Sequence, residues 1–489
     1  MNNLLSRKER SLDMGVRLTS RYTLVVHEVT NKSAKIWLGA LIPSLAKPHN
    51  WRLILKDAQG NKIRTLNRTD GWIRPFNKLS KRFYQIVNLS SLEAGKHYSV
   101  DFEARSEKKY RVLETAFFST LPNRIPNNNQ KPFTVGVGSC FYTKHDGGRV
   151  GQAYQALYEH KQLSPDIKFL TGDQVYADIG LGWYPLNETD VQDRIADDYA
   201  ESWELLRSLL RRGGSWMIPD DHEYWNNYPY LEGFNPYLVT LDLNKKFRQN
   251  WEKAAKMGVD IIQQNKTLRF FDIGKDLSFC VADLRTERHD NGFLSDVNFQ
   301  KLCTWAANLQ MPGVLVIPQP LIANKGDDVD FSLPYWKQQY DELIRQLANN
   351  NHDVVVLTGD VHYGRVAEVK LGNSQSRLIE VITSPMSNLS ELNGYAASGP
   401  VTKNRAFPLK PIMGVPKNKI HYRRTVSTES KWWDLRFPKR RTTEHFMTLG
   451  FQKNAGQISM TVNAWDARNI VKSTGLPKRN FSPVVFKLK

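Results

Sequence analysis

Asp166-Ile167-Lys168-Phe169-Leu170-Thr171-Gly172-Asp173-Gln174-Val175-Tyr176-Ala177-Asp178 is an apolar run that stops abruptly in a glycine, carboxylates and a tyrosine. Such a run reads as a buried strand feeding a polar loop. In open α/β sheets ligands sit just outside the carboxyl ends of the strands, so Asp173, Tyr176 and Asp178 stand where chemistry is usually found. Three more stretches repeat the layout. Phe133 to Val137 leads into Gly138, Ser139 and Cys140, and Trp216 to Ile218 leads into Asp220, Asp221, His222 and Glu223. Val354 to Leu357 leads into Gly359, Asp360, His362 and Tyr363. One such loop is ordinary turn chemistry. Together the loops bring oxygen donors (Asp173, Asp220, Asp221, Asp360), imidazoles (His222, His362), a thiol and a phenol to one sheet edge. That is a mixed hard and soft donor set, suited to two different metals.

Gly138-Ser139-Cys140, the run from Gly172 to Asp178, Asp220-Asp221-His222-Glu223 with Asn226 and Asn227 following, and Leu357-Thr358-Gly359-Asp360-Val361-His362 match a family in order and spacing. They resemble the alkaline phosphatase D (PhoD-like) branch of the calcineurin-like metallophosphatases, and the resemblance covers most of the chain. It implies a four-layer αββα sandwich preceded by a fibronectin- or Ig-like β-sandwich, and a metal-dependent phosphoric ester hydrolase. Asp173 takes the place of the family's bridging carboxylate. Cys140 as thiolate and Tyr176 as phenolate favour a ferric ion, which the family implies at that position. Oxygen donors from Asp220 or Asp221, Asn227 and Asp360 then hold a second ion, implied to be Ca2+, with Mn2+, Mg2+ or Zn2+ as other divalent choices. His362 completes one of the two shells.

His222 stands where the parent family has the histidine that orients phosphate or protonates the leaving oxygen, and an imidazole titrates near neutrality. Asp283 and Arg285 match an Asp-x-Arg of the family, which makes Asp283 a candidate metal or ligand-orienting carboxylate and Arg285 a candidate phosphate clamp. Without the resemblance the same pair reads as a surface ion pair. Arg365 and Lys144 are phosphate-contact candidates by residue type alone, and Pro219 departs from the aromatic that the family often has there. Phosphate esters hydrolyse slowly because the nucleophile approaches an anionic phosphorus and the leaving oxygen gains charge. Two cations address both difficulties by lowering the pKa of a water to supply hydroxide and by neutralising the phosphoryl oxygens. The predicted activity is therefore hydrolysis of phosphate mono- or diesters. The alternatives are a diesterase or nuclease acting on nucleic acid or another polyanion, and a non-catalytic polyanion-binding protein with a degenerate site. The joint presence of Cys140, Tyr176 and His222 weighs against the last.

With 489 residues, 40% of them hydrophobic and 13 Trp, the chain has room for two or three domains and a large core. Its net charge of +19 attracts anions, whether phosphate esters, nucleic acid or an acidic lipid surface. Met1 to Thr19 carries Arg7, Lys8, Arg10 and Arg17 but no apolar stretch of signal-peptide length, so the expected location is cytoplasmic, unlike that of the secreted family members. No run approaches a membrane span, and no protein partner is predicted. Cys140, Cys280 and Cys303 are odd in number and scattered, which fits a reducing compartment and no disulfide framework.

Residues 1–120 read as a β-sandwich, with strands Thr23 to Val29, Ala34 to Gly39, Trp51 to Lys56, Phe83 to Leu89, His97 to Ala104 and Thr115 to Thr120. Its expected role is that of a spacer without chemistry. Residues 121–132 are the linker, and 133–489 the catalytic domain, in which strands alternate with helices at Arg149 to His160, Thr189 to Arg212, Leu243 to Met257 and Pro334 to Asn349. The segment 402–444 is strongly basic, with Trp432, Trp433 and Phe437 interleaved. Such a composition can grip a nucleic acid. A solvated insertion beside the active site is the favoured reading.

Overall fold

The computed structural model describes residues 21–75, 81–106, 108–144, 146–178, 187–231, 236–323, 331–372, 376–389, 402–426 and 443–489. At the N-terminal end a three-stranded sheet (Thr23–Val29, Ala34–Ala40, Phe83–Leu89) faces a four-stranded one (Lys62–Thr69, Asn50–Lys56, His97–Ser106, Lys109–Ser119). Because side chains alternate along a strand, the smaller sheet is buried on both faces. Leu24, Val26, Ile36 and Leu38 point into the sandwich core, whereas Val25, Trp37 and Tyr84 join the apolar cluster of the helices beyond it. Tyr98 ties the turn before its own strand, its hydroxyl accepting from Glu93 N at 3.0 Å, the tyrosine corner of fibronectin-like domains.

From residue 133 on, two seven-stranded sheets pack face to face with helices outside each, the αββα layering. In the first, Gly214–Ile218, Ile167–Thr171 and Phe133–Gly138 run parallel, and His445–Asn454 pairs antiparallel with the last of them. In the second, Leu277–Ala282, Gly313–Val316, Val354–Thr358 and Arg377–Ile382 are parallel neighbours. Strands covered on both sides become continuous apolar runs, which is why Ile167–Thr171 and Val354–Thr358 are buried at every position. Val135, Phe169, Ile218, Val281, Val316, Leu357 and Val381 fill the space between the sheets.

The helices differ from expectation in several places, including the helix Asp296–Ala307, which is not anticipated from the sequence. The run expected from Thr189 to Arg212 divides into Glu188–Leu205 and Arg207–Leu210, the one from Leu243 to Met257 begins at Lys245 after a separate helix Pro236–Leu243, and the one from Pro334 to Asn349 divides into the single turn Leu333–Tyr335 and the helix Lys337–Ala348. The second break follows from Asn244, whose side chain caps the later helix by accepting from Phe247 N at 3.0 Å. In the basic segment, His421–Val426 forms the edge strand of the second sheet, paired with Gly364–Lys370. Trp432, Trp433 and Phe437 lie outside the described residues. Among the described residues no helix is long and apolar enough to cross a membrane.

Candidate metal centre

The four loops singled out by sequence meet at one end of the double sheet, but not on one sheet edge. Three leave adjacent strands of the first sheet, and the fourth leaves the middle of the second. Asp173 stands between them. Its Oδ2 lies 3.3 Å from Cys140 Sγ and 3.4 Å from the Tyr176 hydroxyl. Its Oδ1 accepts from His222 N at 3.4 Å. Carboxylate oxygens of Asp173, Asp220, Asp221 and Asp360 all lie within 4.8 Å of one another, and Asp173, Asp221 and His222 form a second such group. Asp220 Oδ2 and Asp221 Oδ1 are buried there with no hydrogen-bond partner. Buried carboxylate oxygens facing other carboxylates are strongly unfavourable unless a cation lies among them. The donor set therefore fits bound metal.

The loops are held open by unusual backbone. Among the described residues nine non-glycine residues have positive φ, and Cys140, Asp173, Asn227, Asp360 and His362 are five of them. Left-handed conformations of this kind concentrate at functional sites because the surroundings must enforce them. Here Glu223 does much of the enforcing. Its Oε2 accepts from Asp173 N at 3.0 Å and Asp220 N at 2.8 Å, and its Oε1 from Gln174 N at 2.7 Å, so one carboxylate ties the two loops together.

No family model matches the chain, and no curated protein matches it. Among solved structures, PhoD superposes with a TM-score of 0.62 at 17% identity, over 96% of this chain and 91% of that one. The purple acid phosphatase PPD1 isolated from yellow lupin (Lupinus luteus) seeds superposes with a TM-score of 0.56 at 11% identity, over 96% of this chain and 74% of that one. The chain has the metallophosphatase fold.

Within that metallophosphatase fold the remaining predicted residues take different places. His222 Nδ1 lies 2.7 Å from Asp178 Oδ1, and Asp178 Oδ2 accepts from Asn226 N at 2.9 Å. Burial alone would lower the His222 pKa, but Asp178, Asp221 and Asp173 together hold it well above the ordinary value. Asn227 reaches the cluster through its backbone N–H, which donates to Asp221 Oδ2 at 2.7 Å. His362 sits beside Tyr176 through Asn388, whose Nδ2 lies 2.8 Å from the Tyr176 hydroxyl and 3.2 Å from His362 Nε2. Burial, and then the neighbouring carboxylates, push up the Asp173 and Cys140 pKa values, and burial raises Asp220 to about 6 against the pull of Arg285. A bound cation reverses that logic for its ligands.

Asp283 and Arg285 stand beside the cluster. Asp283 is not in the cluster: its oxygens accept from Arg285 N at 2.8 Å, Thr286 N at 2.9 Å and Asn265 Nδ2 at 2.6 Å. Arg285 is 2% exposed and committed to the aspartates, its Nε donating to Asp220 Oδ1 at 2.5 Å with Nη2 3.9 Å from Asp221 Oδ1. It holds these two aspartates in place rather than offering a free guanidinium to phosphate. Arg365 is likewise spent, buried against Glu380 at 2.6 Å. Sequence reasoning passed over Asp178 as the partner of His222, and over Asn388, Ser384 and Gln319. Ser384 Oγ lies 3.1 Å from Cys140 Sγ, and Gln319 Nε2 donates to Asp360 Oδ2 at 2.9 Å. Asp178 had a signal in its place at the end of the opening strand motif. Gln319 and Ser384 carried the same signal, each following a largely buried strand (Gly313–Val316 and Arg377–Ile382), whereas Asn388 lies further along its loop with no local pattern to mark it.

Proposed function

We propose that this chain is a metal-dependent hydrolase of phosphate esters working through two cations. The observation that carries the reading is the pair of buried oxygens without a hydrogen-bond partner on Asp220 and Asp221, set among Asp173 and Asp360. Cys140 and Tyr176, with one oxygen of Asp173, would hold Fe3+, and His362 lies on that side. Asp220, Asp221, Asp360 and Asn227 would hold the second, divalent ion, with Ca2+ the first candidate for an all-oxygen set. When bound, the ions supply an acidified water and charge neutralisation at phosphorus.

This chain's own residues supply the rest. Asp178 fixes the Nδ1–H of His222, so the exchangeable proton sits on Nε2, available to the leaving oxygen. The His222 side chain is 16% exposed, unlike Asp178 and Asp220 behind it at 0%, which makes it a group that can meet a substrate. Arg285 keeps Asp220 ionised and oriented.

The test is metal content and visible absorption of protein purified without added metal, with hydrolysis of a generic phosphomonoester and a phosphodiester. We expect iron, a charge-transfer band lost in Cys140→Ala or Tyr176→Phe, and hydrolysis reduced by more than about 100-fold in Asp173→Asn. A colourless, inactive protein that takes up no metal would defeat the proposal.

A further inference from the structure

The N-terminal sandwich is docked on the strand that leads to Asp220 and Asp221. Gly213 N donates to Phe117 O at 2.7 Å and Phe117 N to Arg211 O at 2.8 Å, while any side chain at Gly214 would meet Val29 Cγ2 at 2.9 Å. From this face two chains of hydrogen bonds run inward. In the first, Trp37 Nε1 donates to Ile261 O at 3.1 Å, and Gln263, two residues on, donates through Nε2 to Glu223 Oε1 at 3.1 Å. Glu223 is the carboxylate that holds the backbone of Asp173 and Asp220.

In the second, Glu28 Oε1 accepts from Arg269 Nη1 at 3.2 Å, and Arg269 Nη2 donates to Met217 O at 2.5 Å and Asn265 Oδ1 at 3.2 Å. Asn265 donates to Asp283, Asp283 accepts from Arg285 N, and Arg285 grips Asp220. Both chains thus begin on the sandwich strands Thr23–Val29 and Ala34–Ala40 and end on the ligand loops. Trp37, Gln263 and Glu223 are fully buried and Arg269 is 7% exposed. A displaced member leaves a buried polar group unpaired, so the members move together or at a cost.

We propose that Glu28, Trp37, Gln263 and Arg269 are positioning residues of the metal centre, through which the sandwich sets the spacing of the Asp173 and Asp220 loops and so the affinity for the second cation. This rests on reading the cluster as a metal centre. Partners behind metal ligands are typically worth roughly 10- to 100-fold in metal affinity. Spatial continuity alone does not establish coupling, so the test is energetic.

Ca2+ and Mn2+ are titrated calorimetrically into chelator-treated full-length protein, with thermal unfolding followed in parallel. Gln263→Leu and Glu28→Ala are expected to weaken cation binding about 10-fold or more, and Glu28→Gln, which keeps an acceptor for Arg269, to recover most of it. Trp37→Phe keeps an aromatic ring but removes the N–H together with part of the indole, so it reports the first chain even where Gln263→Leu fails to fold, the parallel melts separating lost packing from lost cation affinity. Arg82→Gln is the control, because Arg82 ties the same sandwich to the Glu188–Leu205 helix through Asp193 at 2.5 Å and Asp197 at 2.6 Å, outside both chains. Wild-type affinity in Gln263→Leu, Trp37→Phe and Glu28→Ala, or equal weakening in Arg82→Gln, overturns the inference while leaving the metal centre standing. A wild-type protein that binds neither cation overturns both.

Discussion

His27 shows at the scale of one residue what the docked sandwich imposes. It lies 1% exposed on the strand Thr23–Val29, its ring 6.1 Å from that of Trp203. Burial, reinforced by Lys35 and opposed by Glu28, lowers its pKa from the ordinary 6.5 to about 3. Below pH 6.5 the unfolded chain takes up a proton that the native state refuses until about pH 3, so this contribution is complete above 6.5 and is lost as pH falls. We expect the loss to reach about 2 kcal/mol by pH 5. Urea unfolding at pH 7.5 and pH 5 checks it: His27→Phe should show a shallower loss than wild type by about that amount, and parallel losses would show that His27 is not the group responsible. At this scale the ligand types were legible, because Asp173, Tyr176 and His222 each follow a strand in a recognisable run. The partner of His222 was not, because Asp178 lies 44 positions away and the pairing depends on how two loops fold over each other.

Among the elements, the turn after Ile167–Thr171 has little room. Gly172 has φ +107°, and a Cβ there would stand 2.5 Å from Asp220 Cβ. Gly172→Ala would strain the backbone and push the Asp173 loop away from the Asp220 loop. We expect about 1–3 kcal/mol of lost stability, with hydrolysis reduced more than about 10-fold in protein that still folds. Thermal melts and phosphoester assays decide this, and an active Gly172→Ala protein would mean that the two loops need not approach so closely. Buried strands were legible as elements because a short unbroken apolar run bounded by turn residues must be covered on both faces. The Lys62–Thr69 strand was not, since its sequence is largely polar and it lies at a sheet edge with no fully buried residue.

Over the whole molecule, Val25, Trp37, Leu41 and Tyr84 of the sandwich share one apolar cluster with Tyr199, Trp203 and Trp251 of the helical layer. An interface of this kind, reinforced by backbone pairing at Phe117, makes the two parts interdependent rather than loosely tethered. Calorimetry is expected to show one cooperative unfolding transition for the sandwich and the double sheet together. Two well-separated transitions, one of them that of an independent sandwich, would contradict this interdependence.

The sequence by itself determined the strand-loop units, the donor types that end them, the sandwich ahead of them and the resemblance to a metallophosphatase fold, because apolar runs and the residues that end them are local features. The tertiary structure alone decided that the site is assembled from two sheets, that Arg285 holds Asp220 and Asp221 rather than standing free, that Asp283 belongs to its own turn, and that Glu223 joins the Asp173 and Asp220 loops. Those outcomes depend on which buried donor meets which buried acceptor across long separations in the chain. Burial makes such pairing strongly favoured, but only the packed fold specifies the partner.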